Sequence, residues 1–249
     1  MEPSNRSAIP HVAIIIPALN EEIAIGAVLK DIPRGIAQQV IVVDNGSRDR
    51  TSEIAAQSGA QVVREPQRGY GSACLAGIKA LSSEIEIVVF MDGDHSDHPE
   101  QLPNLLNPIF QGGADFVLGT RSTDQHSAAA LTLLQRWGNR LATSLMRRFW
   151  GCDYTDLGPL RAIRRDSLES LSMSDPDFGW TVEMQIKAAV MGLRILETPV
   201  SYRARIGKSK VSGTLKGSIL AGAKILFTIF SYAFLDRTRR NGRRELCVR

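Results

Sequence analysis

Val88-Val89-Phe90-Met91-Asp92-Gly93-Asp94 is an apolar run that stops abruptly at two carboxylates separated by one glycine. Read as a buried strand, it places both acids at its C-terminal end, at the mouth of an open α/β sheet, where ligands usually bind. Two hard oxygen ligands this close together suit Mg²⁺ or Mn²⁺, which take one or two carboxylates plus the phosphates of a substrate. An acidic surface turn would give the same D-x-D pattern. Val40-Ile41-Val42-Val43-Asp44 repeats the arrangement, an apolar strand closed by an acid. Two such strands in one sheet favour the ligand-binding reading.

Working outward, Val12–Ile16 is a further buried strand, stopped by Pro17, and Asn20 stands where it can cap a helix over 21–30. Asn45–Asp49 reads as a turn before a helix at 51–58. Then come a short strand at 61–63, a small-residue helix at 71–81, the strand at 85–91, a helix at 99–110 and a strand at 115–118. This alternation, with short connections, predicts a largely parallel, doubly wound sheet flanked by helices. After Arg121 the rhythm changes. A small-residue, polar stretch at 122–130 precedes a long, partly basic helix at 131–149, a turn at 156–160 leading into a strand, a helix at 180–191 and an extended stretch at 193–202. No linker or internal repeat divides the chain, which reads as one domain.

The 249 residues are 43% hydrophobic, enough for an ordinary core, and the net charge of +4 hides an uneven balance. Basic residues recur from Arg203 to Arg244, where the sole acid is Asp236. Such an end suits an anionic substrate, a phospholipid surface or nucleic acid. Nucleic acid is the least favoured, because no recognition motif is present and few aromatics interleave the basic residues. Cys74, Cys152 and Cys247 show no metal-ligand spacing and suggest a reduced compartment. The polar stretch 1–10 shows no signal peptide, so a cytoplasmic location is expected. Ser218–Leu235 falls about a turn short of a comfortable membrane span and carries Lys224. Lys224, Thr228 and Ser231 lie at i, i+4 and i+7 as one polar stripe, and basic residues flank both ends. An interfacial amphipathic helix fits this better than a spanning one. Packing on the domain or on a second subunit is the alternative, which leaves room for a homo-oligomer.

Taken in order, four segments of the first half carry a resemblance. Pro17-Ala18-Leu19-Asn20-Glu21 follows the first strand, and Val43-Asp44-Asn45-Gly46-Ser47-Arg48-Asp49-Arg50-Thr51 the second. Arg68-Gly69-Tyr70-Gly71-Ser72-Ala73 precedes the third helix, and Asp92-Gly93-Asp94 closes the fourth strand. Their order resembles the family-2 glycosyltransferases. Asp156-Leu157-Gly158-Pro159, Trp180-Thr181-Val182-Glu183 and the basic run from Tyr202 to Lys210 are similar to the dolichyl/polyprenyl-phosphate sugar synthase branch. The resemblance implies a GT-A fold over 11–215, with a donor half at 11–121 and an acceptor half at 122–215. It leaves 1–10 as a flexible N-terminus and 216–249 as a basic, amphipathic helix and tail. The implied activity is inverting transfer of a hexose from a UDP- or GDP-sugar to a polyprenyl-phosphate acceptor, with Mg²⁺ or Mn²⁺, at the cytoplasmic face of the membrane.

The resemblance also implies roles. Pro17, Asn20 and Glu21 match the first nucleotide-binding loop, and Asp44, with Gly46 beside it, matches the nucleoside contact. Arg68 and Gly69 would meet the donor, the glycines at 69 and 71 allowing close backbone approach to an anion at a helix N-terminus. A dinucleotide fingerprint fails, because Cys74 stands where the third glycine belongs. Asp94 is the expected metal ligand, Asp92 a donor contact with partial metal duty, and Ser96 a third, poorer ligand. His95, Asp97 and His98 crowd the same turn; a zinc site is the alternative there to solvated or supporting histidines. Arg121, Arg136, Arg140, Arg205, Lys208, Ser209 and Lys210 would hold the acceptor phosphate, arginine's fork matching phosphate oxygens better than a point charge does. A solvated basic face is the bland reading of the same residues. Glu183 is the base if the acceptor is a hydroxyl, whereas an anionic phosphate needs none. Its other reading is a buried acid that orders the basic loop by ion pairing. A non-catalytic relative that binds a nucleotide-sugar is a third reading, against which the intact carboxylates argue.

Overall fold

The computed structural model describes residues 10–121, 133–207 and 215–246. Seven strands form one sheet: β1 (Val12–Ala18), β2 (Gln39–Asp44), β3 (Gln61–Arg64), β4 (Ile87–Phe90), β5 (Phe116–Thr120), β6 (Arg161–Arg164) and β7 (Ile195–Pro199). Their order is β3-β2-β1-β4-β6-β5-β7. Among the described residues only β6 runs against the rest, pairing antiparallel with both β4 and β5. The sheet is thus the largely parallel one expected. Its helices are α1 (Ile25–Asp31), α2 (Thr51–Gln57), α3 (Tyr70–Lys79), α4 (Leu102–Phe110), α5 (Leu133–Trp150), α6 (Arg165–Leu171), α7 (Trp180–Val190) and α8 (Leu215–Leu246).

The period-2 alternation of a strand sends successive side chains to opposite faces, and here both faces are covered. Ile14 and Ile16 of β1 pack with Ile25 and Val28 of α1, Ala55 of α2 and Leu102, Leu105 and Ile109 of α4. Ala13 and Ile15 face the other way, into a core with Ala73 and Cys74 of α3, Met146 of α5, Val182 and Ile186 of α7 and Ile229 of α8. Continuous apolar strands therefore have a partner on each side, as parallel sheets require.

Two local expectations are corrected. Asn20 does not cap a helix over 21–30. It takes a left-handed conformation, φ 52°, and the helix starts only at Ile25, after a turn in which Ala24 and Ile25 donate to the Glu21 carbonyl. Asn20 instead joins two loops: its N–H donates to Ser47 Oγ at 2.9 Å and its Oδ1 accepts the Arg48 N–H at 2.8 Å. The glycines at 69 and 71 make room for protein backbone. A Cβ on Gly69, where φ is 138°, would lie 2.1 Å from the Pro176 carbonyl oxygen. One on Gly71 would lie 2.0 Å from that of Asp175. The first turn of α3 is occupied accordingly, the Ser72 N–H donating to the Pro176 carbonyl at 2.8 Å.

Gly71→Ala should cost about 2 kcal/mol or more of stability, since a backbone carbonyl cannot yield as a side-chain tip can. Urea unfolding measures it, and a near-neutral change would show that the 175–176 segment moves freely.

Candidate active site

The parallel strands bring their C-terminal ends to one edge, and the strand order reverses between β1 and β4, the usual place for a ligand crevice in such sheets. A cleft of about 460 Å³ opens there. Pro17 and Ala18 reach it from β1 and Asp92, Gly93 and Asp94 from the end of β4. Glu21, Asn45, Arg68 and Gly69 line it from the first half of the chain, and Asp177, Phe178 and Arg205 from the second.

The acidic turn is tightly built. Asp94 is 5% exposed. Its Oδ1 accepts the Ser96 N–H at 3.0 Å and the Ser96 hydroxyl at 2.5 Å, and Arg205 Nη1 lies 2.8 Å from its Oδ2. Ser96 is fully buried, so its hydroxyl is spent on orienting Asp94 rather than turned to the cleft as a third ligand. Asp97 accepts the Asp92 N–H on Oδ2 at 3.0 Å, while its buried Oδ1 has no partner among the described residues. Burial, and then the charge of Asp94, push the Asp97 carboxyl up to about 6. Burial, and then repulsion from Asp94 and Asp97, raise Asp92 well above the usual carboxylate range. The Asp92 carboxylate lines the cleft and accepts no hydrogen bond from the described residues.

This excess of negative charge fits a divalent cation. Among the described residues no group of three or more His, Cys, Asp or Glu forms a ready cage. The histidines of the turn are engaged elsewhere, His95 with Asp31 at 2.8 Å and His98 with Glu100 at 2.7 Å. With no group of three such ligands among the described residues, the zinc alternative lacks a ligand set there.

The stretch after β7 runs along this turn. The Arg203 N–H donates to the Ser96 carbonyl and the Ile206 N–H to that of Asp94, each at 3.0 Å. The Arg203 side chain binds the carbonyls of His95 at 2.6 Å and Asp97 at 3.2 Å. Arg205, between them, is left to face the cleft. Lys208, Ser209 and Lys210 lie outside the described residues.

Other expected site residues are placed differently. Arg121 has its fork filled by Asp156, at 2.8 and 2.9 Å, and stacks 5.0 Å over the Tyr202 ring. Asp156 is 1% exposed, and Arg121 keeps it charged despite burial. Arg121 thus spends its Nε/Nη2 edge on Asp156, and it does not line the cleft. Arg136 and Arg140 are exposed on α5 and do not line it either. Glu183 is fully buried and accepts from the Ser174 and Asp175 N–H groups, the Ser174 and Tyr232 hydroxyls and Lys187 Nζ. Burial alone would raise its pKa, but Lys187 and these donors hold it below the usual value. A carboxylate so saturated and so enclosed is a structural anion. The loop it orders is 174–175, not the basic run at 203–210. Asp44 accepts the Ser47 N–H at 2.7 Å and the Ser52 hydroxyl, so a nucleobase would compete for it. Gly46 sits in the same loop at φ 82°, and its carbonyl accepts Arg68 Nη2 at 2.8 Å.

Sequence reasoning missed Asn45, Asp177 and Phe178 as lining residues. Asn45 ties the β2 and β3 loops to α3. Its Nδ2 donates to the Glu65 and Gln67 carbonyls at 3.0 and 2.7 Å, and its Oδ1 accepts the Gly69 N–H at 2.9 Å. Its signal was its place directly after Asp44. Asp177 and Phe178 reach the cleft from far along the chain, and no local pattern marks them.

The family model described as glycosyl transferase family 2 matches residues 13–172. An uncharacterized glycosyltransferase of Mycobacterium tuberculosis is 40% identical over 215 residues, 84% of this chain and 94% of that one. A dolichyl-phosphate hexose transferase of Haloferax volcanii is 36% identical over 216 residues, 84% of this chain and 90% of that one. Among solved structures, glucosyl-3-phosphoglycerate synthase from Mycobacterium tuberculosis with uridine diphosphate superposes with a TM-score of 0.75 at 25% identity. The match covers 90% of this chain and 80% of the other. The same synthase with Mn²⁺, UDP-glucose and phosphoglyceric acid gives a TM-score of 0.72. Sheet order, cleft and relatives agree: the chain has the GT-A fold and belongs to glycosyl transferase family 2.

Proposed function

We propose that this glycosyltransferase moves a hexose from a UDP- or GDP-sugar to a polyprenyl phosphate, with inversion and with Mg²⁺ or Mn²⁺. The observation that carries the reading is the Asp92 carboxylate, which lines the cleft without a hydrogen-bond donor and is repelled by Asp94 and Asp97. A divalent ion held by Asp92 and Asp94 would offset that repulsion and stabilise the leaving diphosphate. Ser96 and Arg205 fix the orientation of Asp94. Pro17, Glu21, Asn45 and Arg68 would wall the nucleotide, and Asp44 would reach its base by giving up a serine. Arg68 and Arg205 bring positive charge to anionic groups in the cleft.

The named substrate of the Haloferax relative supports a lipid-phosphate acceptor, and the ligands of the structural neighbour support a sugar-nucleotide donor and a divalent ion. A phosphate acceptor is already anionic near neutral pH and needs positioning rather than a base. The saturation of Glu183 favours this over a hydroxyl acceptor. Among the described residues no helix is long and apolar enough to cross a membrane. α8 nevertheless exposes Leu220, Phe227, Phe230 and Phe234 at 52–70%, a face suited to peripheral attachment at the cytoplasmic bilayer surface.

Incubation with labelled UDP- and GDP-sugars, Mn²⁺ and polyprenyl phosphate, then organic extraction, should place label in the organic phase. Asp94→Asn should reduce that label about 100-fold or more; label that stays wholly aqueous overturns the acceptor. Asp97→Asn should stabilise the protein in chelator at pH 8. A carboxyl raised to about 6 loses stability as pH climbs from its unfolded value through its folded one. The gain should be on the order of 2 kcal/mol at pH 8 and vanish near pH 4, which melting curves at the two pH values would read. Phe227→Ser should weaken sedimentation with anionic vesicles about tenfold, the loss of one buried aromatic.

A further inference from the structure

One stretch reaching the cleft from the second half is Ser174-Asp175-Pro176-Asp177-Phe178, of which Asp177 and Phe178 line the cavity. This segment is clamped from two sides. On one side its Pro176 carbonyl accepts the Ser72 N–H of α3. On the other it is held by α8 through two hydrogen-bonded chains. Lys224 Nζ lies 2.9 Å from Asp175 Oδ2, and Asp175 Oδ1 accepts the Asp177 N–H at 2.8 Å. Tyr232 donates to Glu183 Oε1 at 2.8 Å, and Glu183 Oε2 accepts the Asp175 N–H at 2.8 Å.

We propose that Lys224 and Tyr232 of α8 are positioning residues for the sugar-nucleotide cleft, setting the wall formed by Asp177 and Phe178. Three observations converge on this. α8 meets the protein with Ile225, Thr228, Ile229 and Tyr232: Thr228 is 4% and Ile229 0% exposed, whereas Phe227 and Phe234 are 67% and 70% exposed. Polar groups thus share the buried side of the helix with its core contacts. Asp175 is 12% exposed at its side chain, and Lys224 is its ion-pair partner. Removing the ammonium strands a largely buried carboxylate two residues from the lining residue Asp177. Finally, a Cβ on Gly179 would lie 2.3 Å from Asp175 Oδ2 and 2.5 Å from Thr228 Oγ1. The chain thus keeps a bare backbone where α8, the loop and the start of α7 meet.

The consequence is specific. Among the described residues α8 gives Asp92 and Asp94 no hydrogen bond or ion pair, so loosening the clamp should weaken donor binding and leave turnover at saturating donor largely intact. The ligand identity, and with it the readout, rests on the reading under Proposed function.

The test uses the full chain, with UDP-glucose and GDP-mannose as probes, each with Mn²⁺, followed by calorimetry and by donor-saturation kinetics. Lys224→Met should weaken binding of the preferred donor about tenfold with kcat held within about twofold, and Tyr232→Phe should act the same way more mildly. Lys224→Arg, which keeps the cation, should restore affinity to within about threefold. A folded Lys224→Met with wild-type affinity, or an arginine variant as weak as the methionine one, overturns the proposal. Should Lys224→Met fail to fold, Tyr232→Phe decides by the same readout, unchanged affinity overturning it. If the wild type binds neither probe, the donor reading fails and takes this proposal with it. If the wild type binds and the variants match it, the coupling alone is wrong.

Discussion

Three carboxylates meet where β4 ends, and like charges in a partly desolvated site oppose one another's ionisation. Much of the second half of the molecule answers that constraint. The segment after β7 hydrogen-bonds along the turn through Arg203 and Ile206 and thereby delivers Arg205 to Asp94. Ser96 holds the other oxygen of Asp94. Asp97 is left with one buried oxygen unpaired and Asp92 with none bonded, so charge compensation stays incomplete on the cleft side. A fold at rest would gain by replacing either acid with an amide. Retaining both fits the proposed site, whose last cation would arrive with its ligand.

The topology explains how distant segments reach that point. β6 inserts antiparallel between β4 and β5 and moves β5 and β7 outward while keeping them parallel to β4. The chain leaving β7 then starts on the same edge as Asp92, and a short extended run suffices to cross it. The antiparallel strand is the device by which the second half contributes to a cleft whose floor belongs to the first.

What could be read in advance follows from how local each signal is. The apolar runs at Val12–Ile16, Val40–Val43 and Val88–Phe90 announce buried strands, because burial on both faces demands such composition. The acids that close two of them fall at the sheet edge by geometry alone. The identity of partners is another matter. Arg121 and Asp156 are 35 residues apart and pair through two side-chain hydrogen bonds, and nothing near either residue encodes that. The same holds for Glu183, buried with Tyr232 of α8 against it, and for Gly69 and Gly71, which pack on the 175–176 backbone. A residue type states what a group can bind; only the folded chain states whether it is already bound.

The C-terminal helix makes the point in its sharpest form. Periodicity gives α8 two faces, but it does not say which one meets the domain. Intuition turns Lys224, Thr228 and Ser231 toward water. The domain instead offers Asp175 to Lys224 and Glu183 to Tyr232, acids that a methyl group could not satisfy. Pairing a largely buried charge outweighs the transfer free energy of a phenylalanine, roughly 2 kcal/mol, because an unpaired buried ion costs more than that. Lys224, Thr228 and Tyr232 therefore share the inner side with Ile225 and Ile229, and the phenylalanines lie outside. An apolar face exposed for this reason is a cost in water and an asset beside lipid. The two properties of the helix, its grip on the cleft wall and its greasy outer surface, follow from the same pair of buried acids.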